Sequence, residues 1–245
     1  AIPMILVNGS KGIGTGFSTD VMQHNPLQII AYIRAMLIET SVADRPTIEP
    51  YFKGFKGTIW NISSSESLPK YLIKGAYEII ADRKVRITEL PVGTWTDDYK
   101  AFLEKLMEAP TASDKDKGKG DKGADKGASA PVLKEYSDMS TDTVVDITVT
   151  FHSSYPHTPK DLAATIVDAD AGTNKLEKLL GLFTTQSTTN MNLFDAREKL
   201  RKYATMYDII EDYYVERLGI YAKRKVAMLA QLANELRVLT NRARY

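Results

Sequence analysis

The run Ile2-Pro3-Met4-Ile5-Leu6-Val7 breaks off into Asn8-Gly9-Ser10-Lys11-Gly12-Ile13-Gly14-Thr15-Gly16. A short apolar run before a glycine cluster reads as a strand feeding a loop. Gly9, Gly12, Gly14 and Gly16 let the backbone approach another molecule closely. Between two of them sits Ile13, a branched apolar side chain with no neighbour in sequence to cover it. Three uses of such a loop compete. A purely structural turn is the default. A phosphate loop needs Gly-Lys-Ser/Thr opening a helix, but Gly16 is followed by Phe17-Ser18-Thr19-Asp20. The dinucleotide form of the same phosphate-cradling use needs a helix directly after the glycines; the next helix start is later, with Asn25 as N-cap and Pro26 at the first helical position. The third use is a wedge, an apolar side chain that enters a base step and kinks a duplex.

Outward from the loop, the chain reads as α+β. Leu27, Ile30, Ile33, Met36 and Leu37 follow helical spacing. Residues 57–62, 71–80 and 84–90 alternate and predict strands of an antiparallel sheet, ended by Pro91. Asp97 or Asp98 is expected to cap a helix carrying Tyr99, Phe102, Leu103, Leu106 and Met107 on one face. Residues 110–130 differ in kind: from Ser113 to Ala130 there is no large apolar residue, and five lysines meet four aspartates. Such a segment cannot bury enough surface to offset its ordering, so it predicts a disordered, solvated insertion. Residues 143–151 read as a strand with Val145, Ile147 and Val149 on one face, and residues 159–168 and 176–182 as helices. The polar run at 184–190, Thr-Thr-Gln-Ser-Thr-Thr-Asn, either bonds phosphate oxygens or decorates an exposed strand. From Met206 to Tyr245 one long helix is predicted, without proline and with Gly219 alone among the glycines. Its length favours a coiled-coil arm over a helix of a globular core.

Composition narrows the chemistry. The chain has 245 residues, a formal net charge of +1, 26% charged residues and no cysteine. Disulfides, thiolate nucleophiles and cysteine zinc sites are excluded, and a nucleic-acid role requires cations clustered locally. His24, His152 and His157 lack metal-ligand spacing, and no segment has the length of a membrane span. Ala1 falls within the apolar run and the last helical pattern is unfinished, so both ends are expected to be cuts in a longer chain.

Several segments in one order resemble the breakage-reunion core of the eukaryotic type IIA DNA topoisomerases. They are the 2–9 run with Gly12-Ile13-Gly14-Thr15-Gly16, Phe55-Lys56-Gly57-Thr58-Ile59, Ile87-Thr88-Glu89-Leu90-Pro91 with Thr94-Trp95-Thr96, Thr141-Asp142-Thr143, Asn190-Met191 with Leu193-Phe194-Asp195, and Arg217-Leu218 with Arg224-Lys225. The resemblance covers nearly the whole chain apart from 110–130. It implies an enzyme that passes one duplex through a transient double-strand break in another, held by a tyrosine–phosphate bond, with ATP and Mg2+ as cofactors of the whole enzyme. It places the nucleophilic tyrosine upstream of Ala1 and the ATP and metal sites outside this chain, so the chain alone is expected to be inactive. It further implies double-stranded DNA as partner, a homodimer, a nuclear location, and a place in chromosome segregation.

By the same resemblance, residues 1–24 end the winged-helix region, 25–203 form the tower, and 204–245 begin the exit-gate arm. Ile13 takes the position of an isoleucine that enters and bends the duplex, presented by Asn8, Lys11, Gly12, Gly14, Thr15 and Gly16. Lys56 and the hydroxyl and amide residues Thr184, Thr185, Ser187, Thr188 and Asn190 are the further DNA-binding candidates. Lys11 stands where the family often has an acid, Gly93 and Gly181 where it often has a cation, and residues 196–199 where it has a glycine-containing turn. The rival readings are a non-enzymatic α+β interaction domain with a coiled-coil arm, and a nucleotide-binding enzyme built on the glycine loop.

Overall fold

A computed structural model describes residues 1–63, 69–108, 131–169 and 171–245. The insertion at 110–130, with its expected disorder, lies outside them. The architecture is α+β, with several small antiparallel sheets and a long C-terminal helix. Two compact units divide the chain: Ala1–Phe52 with Thr188–Tyr245, and Lys53–Ser187. Segments from both ends of the chain share one apolar core in the first unit.

The first surprise is local. The 2–7 run, expected as a strand, contains the helix α1 (Met4–Asn8). Pro3 takes the N-cap position and its carbonyl accepts the amide of Leu6 at 3.1 Å. A short apolar run does not distinguish a buried strand from a buried helical turn by period alone. Gly9 ends the helix at φ +67, and a Cβ there would stand 2.8 Å from the Val21 carbonyl oxygen. The hairpin β1 (Ser10–Ile13) and β2 (Ser18–Val21) follows, then α2 (Pro26–Leu37). Helix α2 starts as its sequence predicts: the Asn25 side chain accepts the Leu27 amide at 2.9 Å, and Pro26 occupies the first turn.

The second unit is built on two sheets. Strands β3 (Thr58–Asn61) and β4 (Lys70–Lys74) belong to one; β5 (Ala76–Ala81) and β6 (Lys84–Glu89) belong to the other. The expected single strand at 71–80 is thus two strands. Gly75 divides them where a Cβ would collide with the Glu89 carbonyl oxygen. Helix α3 (Thr96–Met107) has Trp95 at its N-cap with no side-chain cap bond; Asp97 and Asp98 instead fill its first turn, where they face the positive end of the helix dipole. Strand β7 (Leu133–Asp138) precedes β8 (Ile147–Phe151), which starts four residues later than expected. Hydroxyls take the amides before it: Thr141 Oγ1 accepts from Val144 and Ser140 Oγ from Asp146.

Helix α4 (Pro159–Ala164), expected to reach 168, gives way to β9 (Ile166–Asp168), paired with β10 (Thr173–Asn174). The β-branched run Thr165-Ile166-Val167 favours that switch. Helix α5 (Lys175–Leu179) is also shorter than predicted. Gly181 at φ +62 terminates it in a Schellman arrangement, with the Leu182 amide on the Glu177 carbonyl at 2.8 Å. Strand β11 (Phe183–Ser187) then pairs with β4, giving sheet orders β11-β4-β3 and β5-β6-β8-β7. Val85, Ile87, Ile147, Val149 and Phe151 point into one core with Tyr99 and Leu103 of α3. The buried Tyr99 hydroxyl donates to the Leu180 carbonyl at 2.8 Å, and burial raises its pKa. Lys74 and Glu177 form an ion pair at 3.0 Å within this unit, both side chains at least 87% covered.

The chain returns to the first unit with the hairpin β12 (Met191–Phe194) and β13 (Leu200–Tyr203), and ends in α6 (Met206–Arg244). The turn at 195–199 lacks glycine, so Glu198 itself adopts φ +60 while Asp195 Oδ1 accepts the amides of Arg197 and Lys199. Thr205 and Asp208 form a capping box at the start of α6. Met191, Tyr203, Ile209 and Ile210 meet Leu6, Val21 and Ile29 in the core. His24 is buried in this unit, and burial holds its imidazole below the usual value.

Candidate nucleic-acid interface

Hairpin β1–β2 carries the glycine loop. Its register pairs Ser10 with Val21, Lys11 with Asp20, Gly12 with Thr19 and Ile13 with Ser18. The tip, residues 14–17, closes with the Gly14 amide on the Phe17 carbonyl at 2.8 Å. Gly16 turns at φ +82, and a Cβ on Gly14 would meet the Phe17 ring at 2.9 Å. The ring of Phe17 stands edge-on to that of Phe194, centroids 6.2 Å apart. Ile13, on the other side of the tip, is 95% exposed. Ile13 therefore takes no part in the core, and the hairpin excludes the strand–loop–helix geometry of a phosphate loop.

The first unit gathers most of the predicted loop residues. Asn8 closes α1 and its carbonyl accepts the Gln23 side-chain amide at 3.0 Å. Lys11, Gly12, Gly14, Thr15 and Gly16 are all exposed on or beside the hairpin. Nothing lies within 4 Å of a Cβ built on Gly12 or Gly16, so the face around them is open. Lys11 has the carboxylate residue Asp20 as its cross-strand neighbour.

Asn190 and Thr188 belong to the same unit, but Asn190 is engaged internally. Its Nδ2 donates to Ser18 Oγ at 2.6 Å, its carbonyl accepts the Asp20 amide at 2.8 Å, and its Oδ1 accepts from Asn192 at 2.9 Å. Asn192 Nδ2 also donates to the Ser18 carbonyl at 2.7 Å. Asn192 and Phe194 were missed in the sequence because nothing in their spacing ties them to residues near 18.

The second unit holds the other candidates. Lys56 is exposed, with its amide on Glu89 Oε2 at 3.2 Å. Thr184, Thr185 and Ser187 lie on β11, where Thr185 and Ser187 are exposed and Thr184 is half-buried. Register places Thr185 beside the buried Leu72, whose other neighbour is Trp60, and Ser187 beside Lys70. Cross-strand partners share a face, so Lys70 and Trp60, both exposed, join the two hydroxyls there. Strand pairing, absent from the one-dimensional pattern, is what finds them.

The glycines form a hairpin tip rather than a helix N-terminus, and among the described residues no group of three His, Asp or Glu side chains converges to hold a metal ion. No helix among the described residues is long and apolar enough to cross a membrane.

Comparisons with known proteins agree on one family. The profile of the A-type subunit of DNA gyrase/topoisomerase IV matches residues 1–244. The chain is 34% identical over its whole length to DNA topoisomerase 2 of Arabidopsis thaliana, and 35% identical to that of Bombyx mori. It is 32% identical, over 97% of its length, to DNA topoisomerase 2 of Acanthamoeba polyphaga mimivirus. It spans 14%, 13% and 20% of those relatives' lengths respectively. The crystal structure of the Plasmodium falciparum topoisomerase II DNA-binding, cleavage and re-ligation domain superposes with a TM-score of 0.73 at 32% identity. That match covers 96% of this chain and 27% of the other.

Proposed function

We propose, from the premise that this chain belongs to the type II DNA topoisomerase family, that it holds and bends the duplex that the whole enzyme cleaves and rejoins. The observation that carries the reading is Ile13: an apolar side chain almost wholly in water, at the tip of a hairpin whose core side is fixed. Exposed isoleucine gains nothing in the free protein; it gains when a base step opens around it. Sharp bending of a short site costs on the order of 1–6 kcal/mol. Phosphate contacts and the filled step offset that cost. Lys11, Thr15 and the open backbone at Gly12, Gly14 and Gly16 supply contacts beside the wedge. Lys56, and Thr184, Thr185 and Ser187 with Lys70 and Trp60 of their sheet, supply them on the second unit, and Thr188 supplies one on the first.

In this reading residues 1–24 end the winged-helix region, 25–203 are the tower, and α6 is the start of the coiled-coil arm. Leu229, Leu232, Leu236 and Leu239 are exposed along α6, which supports an arm that packs on a partner helix and serves a homodimer. ATP, Mg2+, the nucleophilic tyrosine and a nuclear setting belong to the whole enzyme.

Salt tests the DNA reading. Titrating the full gene product with a labelled duplex between about 50 and 200 mM salt should show log K falling linearly with log salt. Lys11→Gln and Lys56→Gln should each lower the magnitude of that slope by about 0.9, one phosphate contact apiece. Binding indifferent to salt, as in an association through apolar helix faces, contradicts the reading.

A further inference from the structure

The wedge hairpin has a feature that phosphate contact does not explain. A two-stranded ribbon is marginal in water by itself, and the tip that carries Ile13 stands away from the core. Its second strand is nevertheless held at one residue from two directions. Asn190 Nδ2 donates to Ser18 Oγ at 2.6 Å, and Asn192 Nδ2 donates to the Ser18 carbonyl at 2.7 Å. Ser18 is the register partner of Ile13. Asn192 also bonds Asn190 Oδ1 at 2.9 Å, tying the two carboxamides into one unit. Two residues on, the Asp20 amide donates to the Asn190 carbonyl at 2.8 Å. Phe17, adjacent to Ser18, braces the same edge against Phe194.

We propose that Asn190 and Asn192 are positioning residues: a paired carboxamide clamp on Ser18 that holds Ile13 at the angle at which it enters DNA. The inference rests on the wedge reading above. It moves Asn190 from the group of direct phosphate contacts to a role along the second strand of the hairpin, since its amide nitrogen and oxygen each already have an internal partner. Preorganisation is the physical reason. A side chain that must open a stacked step is effective only if the strand behind it does not yield, and ordering that strand in advance removes the cost from the binding event.

The test is a mutant cycle in the full gene product, with a duplex labelled at both ends. Bend is read by energy transfer at saturating protein, affinity by titration, and folding by thermal midpoint. Asn192→Ala should shift the bent–straight equilibrium toward straight by roughly 2- to 10-fold, the scale of one hydrogen bond. Affinity and its salt slope should stay near wild type. Added to Ile13→Ala, Asn192→Ala should change the bend no further, because the clamp acts only through the wedge. Ser18→Ala, which removes only the hydroxyl that Asn190 binds, replaces Asn192→Ala if the latter unfolds, with the same expected direction. An additive loss of bend, or a fall in salt slope, overturns the clamp and marks a direct DNA contact. If Ile13→Ala straightens the duplex while Asn192→Ala and Ser18→Ala do not, the clamp alone falls. If Ile13→Ala leaves the bend intact, the wedge reading falls and the clamp with it.

Discussion

Ile13 and Ser18 face each other across hairpin β1–β2 and meet opposite surroundings: Ile13 stands in water, while Ser18 is bonded through both its hydroxyl and its carbonyl. One strand presents and the other anchors. That division is what an element needs if it is to push an apolar group into a partner without unfolding.

The glycines of the hairpin are not equivalent. Gly9→Ala should be the costly change, since its backbone at φ +67 and ψ 173 lies in a region essentially reserved for glycine, costing an L residue on the order of 1–3 kcal/mol, and its Cβ would also meet the Val21 carbonyl. Gly16→Ala bears the φ penalty alone, and Gly12→Ala neither. Thermal unfolding of the three variants should rank them Gly12 least, Gly16 next, Gly9 most affected. A loss at Gly12 as large as at Gly9 contradicts this geometry.

Lys74 and Glu177 are a buried pair, with Lys74 Nζ also donating to the Gly172 carbonyl. Lys74→Met leaves the Glu177 carboxylate covered and without its cation, and should destabilise by about 3–5 kcal/mol. The double variant Lys74→Met/Glu177→Leu should recover most of that loss, because two apolar side chains carry no desolvation penalty. Denaturant midpoints of the single and double variants measure the difference. A single variant close to wild type would show the pair to be solvated.

Acid should weaken the fold through Asp138. The Lys100 ammonium at 2.6 Å, with the hydroxyl and amide of Ser140, holds its carboxyl at about 2, down from 3.8. A carboxylate depressed in the folded state stabilises above its unfolded pKa, and that contribution is lost as pH falls through the folded one. The loss therefore runs from about pH 4 to pH 2, and it should be salt-sensitive because the pair lies near the surface. Asp146, lowered by its two bonds to Arg86, acts in the same direction. Lys100→Gln should show a shallower fall of thermal midpoint with pH across that window. An unchanged slope contradicts the assignment.

Local signals in the chain were accurate where one residue decides the conformation. Asn25-Pro26 starts α2, and the pattern from Met206 onward is α6. They failed where tertiary contact decides. The 2–7 run is helical because its side chains enter a core built with residues near 200, and residues 71–80 split because Gly75 must pass the Glu89 carbonyl. The exposure of Ile13 was legible from its flanking glycines. The clamp was not, since Ser18 and Asn190 are 172 residues apart. Likewise Lys70 and Trp60 join Ser187 and Thr185 only through strand register.

The most direct measurement is the bend angle of a cleavable duplex on the full gene product with Ile13→Ala, read by end-to-end energy transfer beside thermal unfolding. Removing an exposed side chain should change stability by less than about 0.5 kcal/mol. Affinity, set mainly by phosphates, should change modestly, while the duplex straightens and double-strand cleavage falls. A bend angle that stays at the wild-type value in the Ile13→Ala protein contradicts the account.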